Sequence, residues 1–174
     1  MGGQLNGEST RDRDKPIPLF ALRQASHKDY DFLFDLHRAA MREYIEAIWG
    51  WHEDWQAEYF QKKFDPANRK IIVIDGEDAG VVVVEQRPEA LYLGLIELLP
   101  EFQGRGIGSV IVEQLKAETF RKGQPLALHV LATNLPALRL YERLGFKIER
   151  QESIRYYMVC SPGASAPNSD NEEY

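Results

Sequence analysis

The sequence predicts an α/β fold with a mixed sheet, and three observations carry that expectation. Apolar residues change period along the chain, from helical spacing over residues 33–48 to β-branched runs at residues 70–74 and 80–85. A glycine-rich turn, Gln103–Gly108, follows the apolar run Leu91–Leu99 and opens a helix-like run, Ser109–Lys122. The elements then follow the order β-α-α-β-β-β-α-β-α-β-β, a pattern that layers helices against one sheet.

Leu19–Arg23 reads as a short first strand. Ser26 followed by Asp29 marks a helix start, and Leu33, Leu36, Ala40, Met41, Tyr44, Ile45 and Ile48 continue it at helical spacing. Gly50 interrupts that helix, and a second, Glu53–Phe64, ends at Asp65-Pro66 because the residue before a proline is driven out of the helical region. Lys70–Ile74 and Gly80–Glu85 form a hairpin through Asp75-Gly76. Leu91–Leu99 is the next strand, apolar on both faces except at Tyr92, Gly94 and Glu97. Gly123-Gln124-Pro125 stops the helix that follows the glycine turn. Leu126–Leu131 is the fifth strand and Leu135–Leu144 the last long helix. Lys147–Arg150 and Ile154–Cys160 complete the sheet.

Composition narrows the class. The 174 residues suit one domain, with 44% hydrophobic and 28% charged residues, ordinary for a globular protein. A net charge of −6 argues against a nucleic-acid partner, which needs clustered Lys and Arg. It suits a positively charged small molecule. No run approaches the roughly 20 apolar residues of a membrane span, so no membrane partner is expected. The single cysteine, Cys160, allows no internal disulfide and favours a cytoplasmic, reducing home; its strand position predicts a buried small hydrophobe. Residues 1–18 and 161–174 are polar and low in apolar content, and are expected to be a disordered lead and tail around a domain spanning 19–160.

A strand that ends in glycines and turns into a helix is a phosphate cradle. The helix N-terminus presents free N–H groups and partial positive charge, and glycines admit an anion close to them. Two common cradles fail on the letters. A nucleotide-triphosphate loop needs Lys then Ser or Thr where Gly108-Ser109 stands, and a dinucleotide fingerprint counted from Gly104 needs Gly at 109. Gln-x-x-Gly-x-Gly remains. Downstream come Leu128-His129-Val130, then Asn134, Pro136, Ala137, and Leu140-Tyr141-Glu142-Arg143-Leu144-Gly145-Phe146.

Together these two blocks resemble the GNAT superfamily of acetyl-coenzyme A-dependent N-acetyltransferases, over about residues 19–160. The resemblance implies a mostly antiparallel sheet, flanked by helices on both faces and splayed between its fourth and fifth strands to admit the pantetheine arm. It implies acetyl-CoA as co-substrate, without a metal. Backbone N–H groups of Gln103, Gly104, Arg105, Gly106, Ile107 and Gly108 would hold the pyrophosphate, with the Arg105 side chain at its edge. Leu98 and Leu99 would pair with the pantetheine amides as an added strand would. Asn134 would bond the arm from the other side, and Arg139 would reach the nucleotide end.

Acetyl transfer to an amine requires an unprotonated nitrogen, a stabilised carbonyl oxygen and a proton for the leaving thiolate. In the resemblance Tyr141, one helical turn after Ala137, is the acid at the sulfur. Three residues compete to handle the amine's proton. His129 titrates near neutrality and, with Tyr92, matches the catalytic positions of the protein N-terminal acetyltransferase branch; strand alternation lets the two face each other. Glu97 is a carboxylate within Leu95-Ile96-Glu97-Leu98-Leu99, costly to bury unless paired or functional. A bulge in this strand would decide which face it takes.

The segment between the first two strands would wall the acceptor site. Tyr44, Trp49 and Trp51, interleaved with Glu43, Glu46, Glu53 and Asp54, are candidate substrate contacts for a cationic amine; a Trp-rich helix junction covering the core explains the same letters. The acceptor is expected to be a small-molecule amine or a peptide N-terminus. Exposed strand edges at the C-terminal end leave room for a homodimer. The competing class is a non-catalytic acyl-CoA-binding sensor module.

Overall fold

The computed structural model describes residues 19–163. The expected disordered lead 1–18, and the tail from 164 onward, lie outside the described residues.

Among the described residues, seven strands form one sheet in the order β1-β2-β3-β4-β5-β7-β6. These are β1 (Phe20–Gln24), β2 (Arg69–Ile74), β3 (Glu77–Gln86), β4 (Leu91–Leu98), β5 (Leu126–Leu131), β6 (Lys147–Glu152) and β7 (Arg155–Cys160). Every neighbouring pair is antiparallel except β4 and β5, which run parallel. Four helices, α1 (Tyr30–Trp49), α2 (Glu53–Lys63), α3 (Ile107–Arg121) and α4 (Leu135–Arg143), cover it on both faces. This is the architecture the sequence predicts.

Local chemistry sets the element ends. Ser26 closes a capping box with Asp29 over a 3₁₀ turn, His27–Asp29, and the long helix starts one residue later. The β2–β3 turn puts Asp75 at φ 51° and Gly76 at φ 87°, the twist that a two-residue hairpin requires. Gly50 ends α1 at φ 78°.

The two faces have separate cores. On one face α3 and α4 pack Ile107, Ile111, Val112 and Tyr141 against Ile72, Val82, Leu91, Leu93, Leu126 and Leu128. On the other, α1 and α2 set Leu33, Leu36 and Phe60 over Ile71, Val81 and Leu95. Full burial of such aliphatic side chains contributes about 1.5–3 kcal/mol each. Beyond α1 and α2, that second face continues over β4, β5 and β7 as a smaller cluster of Ala90, Tyr92 and Ala127, with Tyr157 and Val159 beside it. Cys160 is buried, as its position predicts, and burial raises its thiol pKa.

The sheet carries three register shifts among the described residues: one leaves Ala79 extra in β3, and the other two re-aim candidate site residues. Val83 pairs with Leu95 while Val84 pairs with Leu93, so Gly94 is an extra residue in β4. The alternation therefore resets, and Glu97, opposite Val81, comes to the same face as Tyr92, opposite Glu85. In β6, Ile148 pairs with Met158 while Arg150 pairs with Tyr157, making Glu149 the extra residue.

The start of α1 is anchored by charge. Arg23 donates to both Asp29 carboxylate oxygens, at 2.7 and 3.1 Å, and also binds Asp78 on β3. Bonds from Arg23, and then from Ser26, hold the Asp29 carboxyl down at about 2 despite partial burial. A carboxyl depressed on folding contributes stability above its unfolded value of about 3.9 and loses it as pH falls through the folded value. Asp29→Asn is therefore expected to cost about 1–2 kcal/mol at neutral pH. In denaturant titrations the gap from the parent should close between pH 4 and pH 2; a gap that persists at low pH would show that the charge is not its cause.

Candidate active site

The parallel pairing of β4 with β5 is brief. Leu91, Tyr92 and Leu93 pair with Leu126, Ala127 and Leu128, and there it stops, although β4 continues to Leu98 and β5 to Leu131. The splay expected between the fourth and fifth strands is present. A cleft of about 450 Å³ opens at this seam. It is lined by Ile96, Glu97 and Leu98 of β4, by Phe102, Gln103, Gly104 and Gly106–Ser109 of the glycine turn and α3, by Asn134, Pro136, Ala137, Leu140, Tyr141 and Arg143 at α4, and by Ala40, Met41 and Tyr44 of α1. A broader, shallower depression of about 810 Å³ lies along another face of α1 and shares none of these residues.

The glycine turn is shaped as an anion cradle. Gly104 and Gly106 sit at φ 72° and 80°, and Gly106 is the left-handed N-cap from which α3 starts. The first turn of α3 carries no acidic residue, so nothing opposes its positive end. A Cβ built on Gly104 or Gly108 meets no atom within 4 Å, so both open onto space a ligand can occupy. The Gln103 side chain donates to the Leu98 carbonyl at 2.8 Å and staples the turn to the end of β4. That contact gives Gln103 a positioning task beside the backbone role expected of it.

Asn134 caps α4, its Oδ1 accepting from the Ala137 N–H at 3.2 Å, and its amide group remains for the cleft that it lines. Tyr141 is 7% exposed, packs edge-on against Phe146 and lines the same cleft. Desolvation pushes its phenol up to about 12, so it stays protonated. Glu97 is 5% exposed and pairs with His37 Nδ1 at 2.9 Å. His37 is the residue that sequence reasoning missed here. It lies one helical turn before Ala40 and Met41 on α1, so the spacing was visible but its partner across the sheet was not.

Other predicted residues lie apart from the cleft lining. Leu99 commits its N–H to the Ala79 carbonyl at 2.9 Å. Arg105 is exposed and lies over the Phe102 ring, and Arg139 is exposed on α4. Of the aromatic candidates, Tyr44 lines the cleft. Trp49 is 58% exposed, and Trp51 bonds Glu53 at 2.6 Å beside Arg42, so the tryptophans lie outside it.

Tyr92 and His129 come together at the closed end of the seam, outside the cleft lining, where His129 is the first β5 residue past the pairing. Tyr92 Oη lies 2.8 Å from His129 Nδ1, and His129 Nε2 lies 2.9 Å from Glu152 Oε2. Desolvation lowers the His129 pKa below its ordinary 6.5, against the opposing pull of Glu152, and raises that of Tyr92. Among the described residues, no group of three or more His, Cys, Asp or Glu is arranged to hold a metal ion, and no helix is long and apolar enough to cross a membrane.

Comparison with known proteins agrees with this geometry. Residues 30–146 match the model of the acetyltransferase (GNAT) family. An uncharacterized N-acetyltransferase of Methanocaldococcus jannaschii is 24% identical over 152 residues, which cover 82% of this chain and 66% of that protein. The PaiA N-acetyltransferase of Thermoplasma acidophilum, solved in complex with coenzyme A, aligns with a TM-score of 0.68 at 17% identity, over 82% of this chain and 99% of that one. The ribosomal-protein-S18-alanine N-acetyltransferase of Escherichia coli aligns with a TM-score of 0.59 at 18% identity, over 86% and 98%.

The edge of the cleft depends on Gly80. A Cβ there would sit 2.3 Å from the Glu97 carbonyl oxygen and 2.7 Å from a Leu98 methyl, so β3 and β4 approach this closely only with glycine. Gly80→Ala is expected to destabilise the fold by about 1–3 kcal/mol and displace the Glu97–Leu98 amide resonances. A parent-like melting temperature with unshifted resonances would contradict the packing described.

Proposed function

The chain belongs to the acetyltransferase (GNAT) family, and on that premise we propose that it moves an acetyl group from acetyl-CoA to a primary amine by direct attack in a ternary complex. One observation carries the reading: the cleft joins a glycine-rich helix N-terminus, a strand end unpaired on its β5 side, Asn134 and a protonated tyrosine. These residues fit acetyl-CoA. The N–H groups of Gly104–Gly108 suit its pyrophosphate, Ile96–Leu98 and Asn134 suit its pantetheine amides, and Leu99, Arg105 and Arg139 remain peripheral contacts. Bound there, the thioester supplies the acyl group.

The remaining chemistry falls to side chains. An ammonium acceptor loses two protons on becoming an amide; one ends on the coenzyme A sulfur and one in solvent. Tyr141 stays protonated at any working pH and donates to the sulfur as negative charge grows there. Glu97, paired with His37 beneath α1, supplies negative charge that draws a cationic amine past Tyr44, with Trp49 and Trp51 further out on the same helix junction. His129 takes the proton bound for solvent, through the Tyr92 hydroxyl. A neutral imidazole, with a reference pKa of about 6.5, is a stronger base than a carboxylate at about 4.3, and burial keeps His129 neutral near pH 7. The acceptor class includes peptide N-termini, in line with the ribosomal-protein-alanine acetyltransferase among the structural neighbours.

The test is incubation with acetyl-CoA and a panel of polyamines, amino sugars, amino acids and short peptides, reading thiol release and product mass together. An acetylated product supports the proposal. Cofactor binding without thiol release above the no-acceptor control, across the panel, would instead favour a non-catalytic sensor. Tyr141→Phe is expected to lower kcat by about 10²-fold or more with unchanged acetyl-CoA affinity. Glu97→Gln should act mainly by raising the acceptor KM. Because His129 must be neutral to accept a proton, kcat/KM should fall on the acid side only below the ordinary imidazole value; a limb above it would count against His129.

A further inference from the structure

We propose that Glu152 is a positioning residue for His129, fixing the tautomer and plane of its imidazole so that Nδ1 is the nitrogen offered to Tyr92. The inference rests on the base role given above to Tyr92 and His129. It adds a residue from the far edge of the sheet, 23 positions along the chain from His129.

The geometry assigns the protons. An ionised carboxylate only accepts hydrogen bonds, so His129 Nε2, 2.9 Å from Glu152 Oε2, carries the proton and donates. Nδ1 is then bare and accepts from the Tyr92 hydroxyl at 2.8 Å. A hydroxyl, an imidazole and a carboxylate in this order form the base-and-orienter arrangement that activates a proton acceptor. When Nδ1 takes the Tyr92 proton, and Tyr92 takes one from the ammonium, the imidazolium is held by Glu152. Once product has left, the Nδ1 proton returns through the Tyr92 hydroxyl to water, which restores the Nε2–H tautomer that Glu152, 34% exposed, selects.

The fold goes out of its way to place Glu152 there. It ends β6, before a turn whose Ser153 has φ 54°. Without the extra residue Glu149, strict alternation would point Glu152 to the other face; the bulge brings Arg150 and Glu152 to the face of Tyr157 and His129. Bulges are over-represented beside active sites for this reason. Glu152 is itself held: Oε1 accepts from Arg150 Nε and Nη2 at 3.2 and 3.1 Å, and Arg155 Nη2 stands 3.6 Å from Oε2.

The groups facing the pair are Arg150 and Glu152 on β6, Arg155 and Tyr157 on β7, and Glu85 with Arg87 at the end of β3, Arg87 lying 3.3 Å over the Tyr92 ring. Arg87 and Arg155 disfavour imidazolium and Glu152 favours it. Removing the Glu152 charge must therefore move the acid limb of kcat/KM to lower pH.

The experiment compares the full-length parent, Glu152→Gln, Glu152→Ala, His129→Gln and the His129→Gln/Glu152→Ala double variant, by kcat and KM across pH. Imidazole ¹⁵N shifts of the resting proteins are recorded alongside. Glu152→Gln retains an acceptor for Nε2–H, and is expected to keep kcat within about threefold while shifting the acid limb down. Glu152→Ala is expected to lower kcat about tenfold at unchanged acetyl-CoA KM, and to do nothing more in the His129→Gln background. Its ¹⁵N spectrum should lose the pure Nε2–H signature seen in the parent. Equal losses from Glu152→Ala with and without His129, or an unchanged limb and spectrum, would overturn the proposal. If His129→Gln leaves kcat intact, the base reading falls instead, and the ¹⁵N spectra still decide whether Glu152 sets the ring.

Discussion

Everything functional in this molecule depends on β4 and β5 parting after Leu93 and Leu128. Two strands that separate inside a protein leave backbone N–H and C=O groups without ladder partners, and such groups are costly when buried unpaired. The chain meets part of this demand itself: the Leu98 carbonyl takes the Gln103 side chain. What remains faces a cleft whose chemistry suits a ligand with amides of its own. The same parting lets α4 bring Tyr141 and Asn134 to one side of the seam, and α1 bring His37 and Tyr44 to the other.

The second organising feature is a pair of register shifts in the sheet. Strict alternation would send Glu97 and Glu152 to the face packed by α3 and α4. One extra residue in each strand, Gly94 and Glu149, turns both carboxylates to the face that carries Tyr92 and His129. Each acid then meets an imidazole, His37 at 2.9 Å and His129 at 2.9 Å. Two carboxylate–imidazole pairs on one sheet face, at different distances from the seam, suit a reaction in which a cation must be drawn in and a proton led out.

The legible part of this architecture is what chain neighbours determine. The glycine turn, the position of Asn134 and the Ala137–Tyr141 spacing are local, so they stood in the sequence together with the order of the elements. The Asp75-Gly76 hairpin and the Ser26–Asp29 cap were legible for the same reason. The face of Glu97 was not, because a bulge is a register event between two strands and leaves only a glycine in the letters. His37 and Glu152 were missed because their partners lie 60 and 23 residues away and meet them only across the sheet. The tryptophans attracted attention by their density, yet Trp49 and Trp55 are exposed, and it is the apolar stripe of α1 through Ala40, Met41 and Tyr44 that walls the cleft.

The account stands or falls on the seam between β4 and β5 being the acyl-CoA site. The most direct measurement is a titration of the protein with coenzyme A, following backbone amide resonances residue by residue. The account predicts the largest changes at Ile96–Leu98, at Gly104–Ser109 through the first turn of α3, and at Asn134–Ala137. Saturable binding with its changes elsewhere on the surface, or no change at the glycine turn at millimolar coenzyme A, would contradict it.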